Sequence, residues 1–227
     1  MTYSHTRTGR FVARPNRFVA VVEVDGADTV CHVKNTGRCK ELLVPGCTVV
    51  LEAATNPERK TPYDVIAVYK GERLINMDSS APNAAVAEWL PSYFLDATLI
   101  RPEYKWGGSR FDFYVETPTV QRLVEVKGVT LEENGIARFP DAPTERGKRH
   151  LNELAEAVQK GYEAYVVFVI QMAQVRHFEP NDRTHKAFGD ALRAARKAGV
   201  QVLAFDTIVT PNSMEIGKPI PIKLEGV

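Results

Sequence analysis

Two carboxylates and a lysine carry the clearest chemical signal in this chain. They are Asp112 in Arg110-Phe-Asp-Phe113, and Glu125 and Lys127 in Leu123-Val-Glu-Val-Lys-Gly-Val129. Glu-x-Lys occurs three times, at Glu58/Lys60, Glu103/Lys105 and Glu125/Lys127, so the tripeptide alone decides nothing. Context separates them. Glu58 adjoins Asn56-Pro57 in a loop-like stretch, and the acid nearest upstream of Glu103, Asp96, falls in or near a predicted helix. Only Glu125 combines an apolar strand with an acid on the strand before it. Side chains alternate along a strand, so Glu125 and Lys127 share a face, and an adjacent strand can bring Asp112 beside Glu125. Two carboxylates at one spot repel unless a cation lies between them. Mg²⁺ (or Mn²⁺), a hard ion that takes one or two carboxylates plus waters and phosphate oxygens, suits such a pair. Lys127 is then placed to orient or deprotonate a water, or to stabilise charge on a reacting phosphoryl group. The competing reading is a structural ion-pair cluster at a strand end.

The elements that must hold these residues follow from the hydrophobic pattern. Residues 1–76 read as strands. Arg17 to Val24 alternates, with Phe18, Ala20, Val22 and Val24 on one face. It ends at Asp25-Gly26, a pair that tolerates the positive φ of a type I′ hairpin turn. Asp28 to Val33 returns, Pro45-Gly46 turns the chain into Cys47 to Ala53, and Tyr63 to Tyr69 and Arg73 to Asn76 flank Lys70-Gly-Glu72. Five short strands with turn punctuation predict an OB-like β-barrel. Met77 to Asn83, small and polar with one proline, reads as a linker to a second domain, 77–227. There Asn83 to Ala97 predicts a helix kinked or split at Pro91. Strands follow at Ile100 to Trp106, Arg110 to Glu116 and Gln121 to Val129. Thr144 reads as the N-cap of a helix with an apolar stripe of Leu151, Leu154, Ala155 and Val158. Ala164 to Ile170 reads as a strand buried on both faces, Thr184 to Ala198 as a helix, and Val200 to Phe205 as a last strand. The order α-β-β-β-α-β-α-β predicts a mixed α/β layer fold after the barrel, α+β overall.

Composition narrows the function classes. The chain has 227 residues, 44% hydrophobic and 25% charged, which is ordinary globular material. A net charge of +1 argues against wrapping nucleic acid by bulk charge. The opening residues lack the apolar core of a secretion signal and no apolar run approaches membrane-spanning length, so a cytoplasmic protein with no membrane partner is expected. Cys31, Cys39 and Cys47 are odd in number and show no Cys-x2-Cys spacing with His32, so neither a disulfide framework nor zinc is expected.

Charge is uneven along the chain. Residues 1–40 carry seven basic side chains, Arg7, Arg10, Arg14, Arg17, Lys34, Arg38 and Lys40, against Glu23, Asp25 and Asp28. That asymmetry fits a phosphate-tracking face on the barrel, or a merely solvated one. Asn35-Thr36-Gly37-Arg38 is more pointed: a glycine turn lets backbone amides approach an anion while Arg38 supplies a fork of donors. Thr144, Arg146, Lys148 and His150 cluster at a helix N-terminus, where the dipole favours phosphate, although only Arg146 and His150 at i, i+4 share a face. Lys105 and Arg110 lie on the strands beside the acids.

The layout of acid-bearing strand followed by a Glu-x-Lys strand is similar to the PD-(D/E)xK nuclease superfamily, whose core is αβββαβ. Several stretches more specifically resemble the sugar fermentation stimulation protein A (SfsA) family. They are Arg14-Pro-Asn-Arg-Phe18, His32-Val-Lys-Asn-Thr-Gly-Arg38, Ser109-Arg-Phe-Asp-Phe113, Glu125-Val-Lys-Gly-Val-Thr130 and Phe139-Pro-Asp-Ala-Pro-Thr-Glu-Arg-Gly-Lys-Arg-His-Leu151. The last is the most specific, and weaker similarity continues to the C-terminal strand. The resemblance implies Asp112 and Glu125 as metal ligands, Lys127 as the catalytic lysine, and Glu88 on the first helix as a further acid, unless it simply faces solvent. Lys34 stands where the family pattern has proline, and Asn76-Met77 where it has Asn-Thr. The implied function is Mg²⁺-dependent phosphodiester hydrolysis by a nucleic-acid-binding protein, with DNA favoured over RNA as partner. The alternatives are a non-catalytic DNA-binding regulator of sugar metabolism and an RNA-binding or RNA-processing protein.

Overall fold

The structure is a computed structural model and describes residues 1–35, 37–56 and 58–225. Strands β1 (Thr6–Asn16), β2 (Val19–Val24), β3 (Ala27–Val33), β4 (Thr48–Ala53) and β5 (Tyr63–Lys70) close on themselves in the cycle β1-β2-β3-β5-β4-β1. The β3–β5 pairing at His32↔Asp64 and Val33↔Val65 is parallel, and the other four are antiparallel. This is an OB-type five-stranded barrel. Strand β6 (Arg73–Asn76) extends β5 as an outer hairpin. Asp25 and Gly26 take φ of 52° and 80°, the turn expected between β2 and β3.

Two expectations need correction here. The N-terminal residues form β1, a full barrel strand that the pattern did not indicate; only Phe11 of its eleven residues is buried, so no apolar alternation marks it. The predicted barrel used β6 as its fifth strand, whereas β1 takes that place. Phe18 does not join Ala20, Val22 and Val24 inside: it precedes β2 and is 50% exposed.

The second part begins with helix α1 (Ala81–Tyr93), whose last turn contains Pro91. There follow β7 (Leu99–Trp106), β8 (Ser109–Glu116), β9 (Gln121–Val129), β10 (Leu131–Glu133) and β11 (Ile136–Phe139). Helix α2 (Glu145–Gln159), β12 (Glu163–Ile170), β13 (His177–Pro180), α3 (Asp182–Lys197), β14 (Gln201–Thr210) and β15 (Ser213–Pro219) complete the chain. Six strands form one sheet in the order β15-β14-β12-β9-β8-β7, parallel across β9, β12 and β14 and antiparallel at both sides. Sequence alternation explains the sandwich. Val124, Val126, Val167 and Val169 face α1 through Ala85, Val86 and Leu90. Leu123, Val166 and Phe168 face the other way, toward Leu151 and Leu154 of α2 and Leu192 of α3. Each such buried aliphatic side chain contributes roughly 1.5–3 kcal/mol.

The two parts meet through buried polar contacts. Gln171, just past β12, donates to Asn76 Oδ1 and to the Asp78 carbonyl, both at 3.0 Å. Asp78 is 1% exposed and is neutralised by Lys34 at 2.7 Å, so the lysine that departs from the family pattern finds a structural partner. Among the described residues no helix is long and apolar enough to cross a membrane.

Candidate active site

Strands β8 and β9 pair from Phe113↔Val124 to Glu116↔Gln121 and separate beyond Phe113. At that fork β8 changes face. Phe113 and Val115 pack on the α1 side, while Phe111 sets its ring edge against His150 of α2, centroids 5.8 Å apart. The irregularity is shared by β7, where Glu103, opposite Asp112, takes φ 57°. Asp112 therefore sits in the gap between strands, where it replaces a missing ladder bond. Its Oδ2 accepts from the Val126 amide at 2.7 Å, and its Oδ1 accepts from Asn83 Nδ2 at 2.7 Å.

Glu125 and Lys127 point together toward α2, as alternation requires, and the Lys127 ammonium donates to Glu125 Oε1. His150 Nδ1 lies 2.5 Å from the same oxygen. Arg146 Nε donates to His150 Nε2 at 3.4 Å, which makes Nε2 the acceptor and leaves the ring proton on Nδ1, facing Glu125. Glu125 Oε2 is buried without any partner. Burial pushes the Glu125 carboxyl up, but His150 and Lys127 outweigh it and hold it below its ordinary value. Asp112 is raised, first by burial and then by the Glu125 charge, against the pull of Val126, Asn83 and Lys127. Two close carboxylates in mutual repulsion, one with a buried oxygen bonded to nothing, fit a small hard cation. Among the described residues no cluster of three or more His, Cys, Asp or Glu side chains converges on such a point. The remaining ligands would be backbone oxygen, water and substrate phosphate, which Mg²⁺ accepts.

Several expected site residues have other partners. Glu88 does not contact the acids among the described residues: its exposed carboxylate takes the Met1 ammonium at 2.6 Å. The α1 residue that reaches the site is Asn83, five positions earlier and about 140° around the helix. His150 is 2% exposed and braces Glu125, so it is not an outward nucleic-acid contact. Arg14 is held inward, donating to the carbonyls of Arg38, Arg17 and Asn35 at 2.7–2.8 Å. Asn35 shapes its own turn, accepting from Gly37 N at 2.7 Å and donating to the Met77 carbonyl. Thr144 caps α2 through Gly147 N at 3.0 Å, and Lys148 lies 3.7 Å from Glu145. Arg110 pairs with Glu103 at 3.1 Å on the exposed β7–β8 hairpin, where Lys105 is also exposed. Arg17 and Arg38 are exposed on the barrel. Thr36 lies outside the described residues. The three cysteines are free, with burial pushing Cys31 and Cys39 up to about 11 and Cys47 upward.

Comparison with known proteins decides the family. Residues 12–77 match the SfsA N-terminal OB domain, and residues 80–213 match the sugar fermentation stimulation protein RE domain. The chain belongs to the SfsA family. Among curated members, the sugar fermentation stimulation protein homolog of Desulfitobacterium hafniense (strain Y51) is 57% identical over 225 residues, covering 99% of each chain. The Clostridium beijerinckii homolog is 56% identical over 218 residues, covering 95% of this chain and 96% of that one. A solved structure, Pyrococcus furiosus SfsA in complex with Ca²⁺, shares the fold with TM-score 0.87 at 24% identity, covering 98% of each chain.

Proposed function

We propose that this SfsA-family chain is a metal-dependent nuclease of the PD-(D/E)xK type, acting in the cytoplasm on nucleic acid, DNA in preference to RNA. One observation carries the reading. Asp112 and Glu125 meet at a fork between strands with Glu125 Oε2 buried and unpartnered, and Lys127 stands on the same strand. Asp112 and Glu125 would hold Mg²⁺ or Mn²⁺; once bound, such an ion polarises a phosphoryl oxygen and lowers the pKa of water. The chain's own residues supply the rest. Val126 N and Asn83 fix the Asp112 carboxylate, and His150 fixes Glu125 Oε1, leaving Oε2 without a hydrogen-bond partner. Lys127, donating to Glu125, is placed to orient a water or to stabilise charge on a phosphoryl oxygen. The Ca²⁺ of the Pyrococcus furiosus relative belongs to the same oxygen-seeking class of ion.

A specific observation favours the second reading, a DNA-binding regulator without turnover. Lys127 and His150 both already serve Glu125, so the cluster is partly satisfied as a structural network. Calorimetric titration with Mn²⁺ separates the two. Saturable binding by wild type that disappears in the Asp112→Asn/Glu125→Gln double variant is expected. Absence of binding, with or without a short DNA, overturns the nuclease reading.

A further inference from the structure

The basic excess of the first 40 residues is mostly consumed within the fold. Arg7 pairs with Asp25 at 2.6 Å, Arg10 with Glu23 at 2.5 Å and Lys34 with Asp78 at 2.7 Å, while Arg14 donates to three carbonyls. Three cations are left, Arg17, Arg38 and Lys40, all exposed and without an ion-pair partner among the described residues. Arg17, some twenty residues before the other two, lines with them one cavity of about 460 Å³, together with Gly37 and Ala142. Phe18 follows Arg17, half exposed, with the Arg17 guanidinium 5.8 Å from its ring centroid.

A second cavity, about 340 Å³, continues from the same Gly37 and Ala142. It lies where β9 and β12 end and α2 begins, bounded by Gly128, Gln171 and Thr144. Gly128 directly follows Lys127 on β9 but lies on the opposite face of the strand, and Asp112, Glu125 and Lys127 do not line this cavity. The carboxyl ends of parallel strands facing a helix N-terminus are a common ligand position, since the free amides there favour an anion. Gly37 borders both cavities and packs close against Asp141: a Cβ there would lie 2.8 Å from Asp141 Oδ2. At that point Asp141 presents an acceptor, which repels phosphate and suits the donor edge of a base or a sugar hydroxyl.

From these observations we infer that the cleft between barrel and layered sheet is a channel for one single strand of nucleic acid. Its backbone crosses Arg17, Arg38 and Lys40, a base stacks on Phe18, and the strand passes Gly37 and Ala142 to reach Asp112 and Glu125. Cavities of this size hold about one nucleotide each, far too little for a duplex. Stacking on an exposed aromatic beside unpaired cations is the chemistry of single-strand binding, whereas a paired base hides its face. The inference rests on the nuclease reading for the destination of the strand, but binding in the channel does not require a metal.

Fluorescence anisotropy in EDTA tests it, using a dye-labelled 15-nucleotide single strand and the same strand annealed to its complement, in DNA and RNA forms. The single strand should bind at least tenfold more tightly than the duplex. Phe18→Ala should weaken it on the order of tenfold. Arg38→Ala/Lys40→Ala should lower the slope of log affinity against log salt by about 1.4, at roughly 0.7 per lost phosphate contact. Ala142→Phe, which fills space where the two cavities meet, should weaken binding at unchanged melting temperature. Duplex binding as tight as single-strand binding, or insensitivity to all these substitutions, overturns the channel while leaving calorimetric metal binding intact. Binding of neither form overturns the channel and leaves the nuclease reading to the calorimetric test, and the DNA and RNA arms show which polymer is preferred.

Discussion

Glu125 stays charged almost wholly out of water because two donors converge on one of its oxygens. That division matters for the other oxygen, since a carboxylate pinned through Oε1 presents Oε2 in a fixed direction. Replacing His150 therefore has two separable effects. His150→Ala removes the Nδ1 donor and the packing against Phe111, and is expected to weaken Mn²⁺ binding about tenfold, the usual scale for groups that orient a ligand. His150→Asn sets an amide nitrogen near the former Nδ1 and should restore most of the cation affinity, though not the packing. Calorimetry on both variants checks this; an equal loss in the two would reduce His150 to a packing residue. The shared face of Glu125 and Lys127 was legible from alternation alone. Asn83 was not, because nothing in an isolated asparagine at a helix start announces a partner 29 residues away. The i, i+4 spacing of Arg146 and His150 correctly placed them on one face, but whether that face turned to solvent or to Glu125 depended on how α2 packs.

At the scale of elements, the site exists because α1 lies close over the end of β9. Gly128 permits that approach: a Cβ there would sit 2.6 Å from Gln171 Oε1 and 2.8 Å from Pro82 Cγ. Gly128→Ala should cost roughly 1–3 kcal/mol through the forced shift, read from urea unfolding, and should displace the α1 start that carries Asn83. The major elements of the layered part were readable, since their apolar periods are long and regular. The hairpin of β10 and β11 escaped the pattern reading, although Asn134-Gly135, with φ of 52° and 78°, is a strong turn signal. Strand β1 carried no comparable signal, because only Phe11 of its eleven residues is buried, so no apolar alternation marks it.

At the scale of the whole molecule, the barrel is clamped to the second part of the chain by charge as well as by packing. Glu132 of β10 receives Lys70 at 2.9 Å and Arg73 at 3.1 Å from the β5–β6 hairpin. Burial pushes its carboxyl up, but the Gly135 amide, Lys70 and Arg73 outweigh it and leave it below its ordinary value. A depressed folded value means that the clamp stabilises fully above the unfolded carboxyl's pKa and fades as pH falls through the folded one. Glu132→Gln should thus lose about 1–3 kcal/mol at neutral pH. The gap to wild type should narrow as pH falls from neutral to an acidic value below the ordinary carboxylate range, where the wild-type carboxyl takes up its proton. Urea unfolding at the two pH values measures this, and a gap independent of pH would rule the clamp out.

The sequence by itself determined what bonded geometry dictates: strand alternation, hairpin turns at Asp25-Gly26, helix stripes, and the pairing of Glu125 with Lys127 on one face. These depend on neighbours a few residues apart. Tertiary structure decided which distant groups meet. It turned β8 over at Asp112, chose Asn83 rather than Glu88, drew His150 inward, and left Arg17, Arg38 and Lys40 without ion-pair partners among the described residues while consuming the other cations of the first 40 residues. A charge's role depends on the nearest opposite charge and on its distance from water, and both are set only when separate elements pack together.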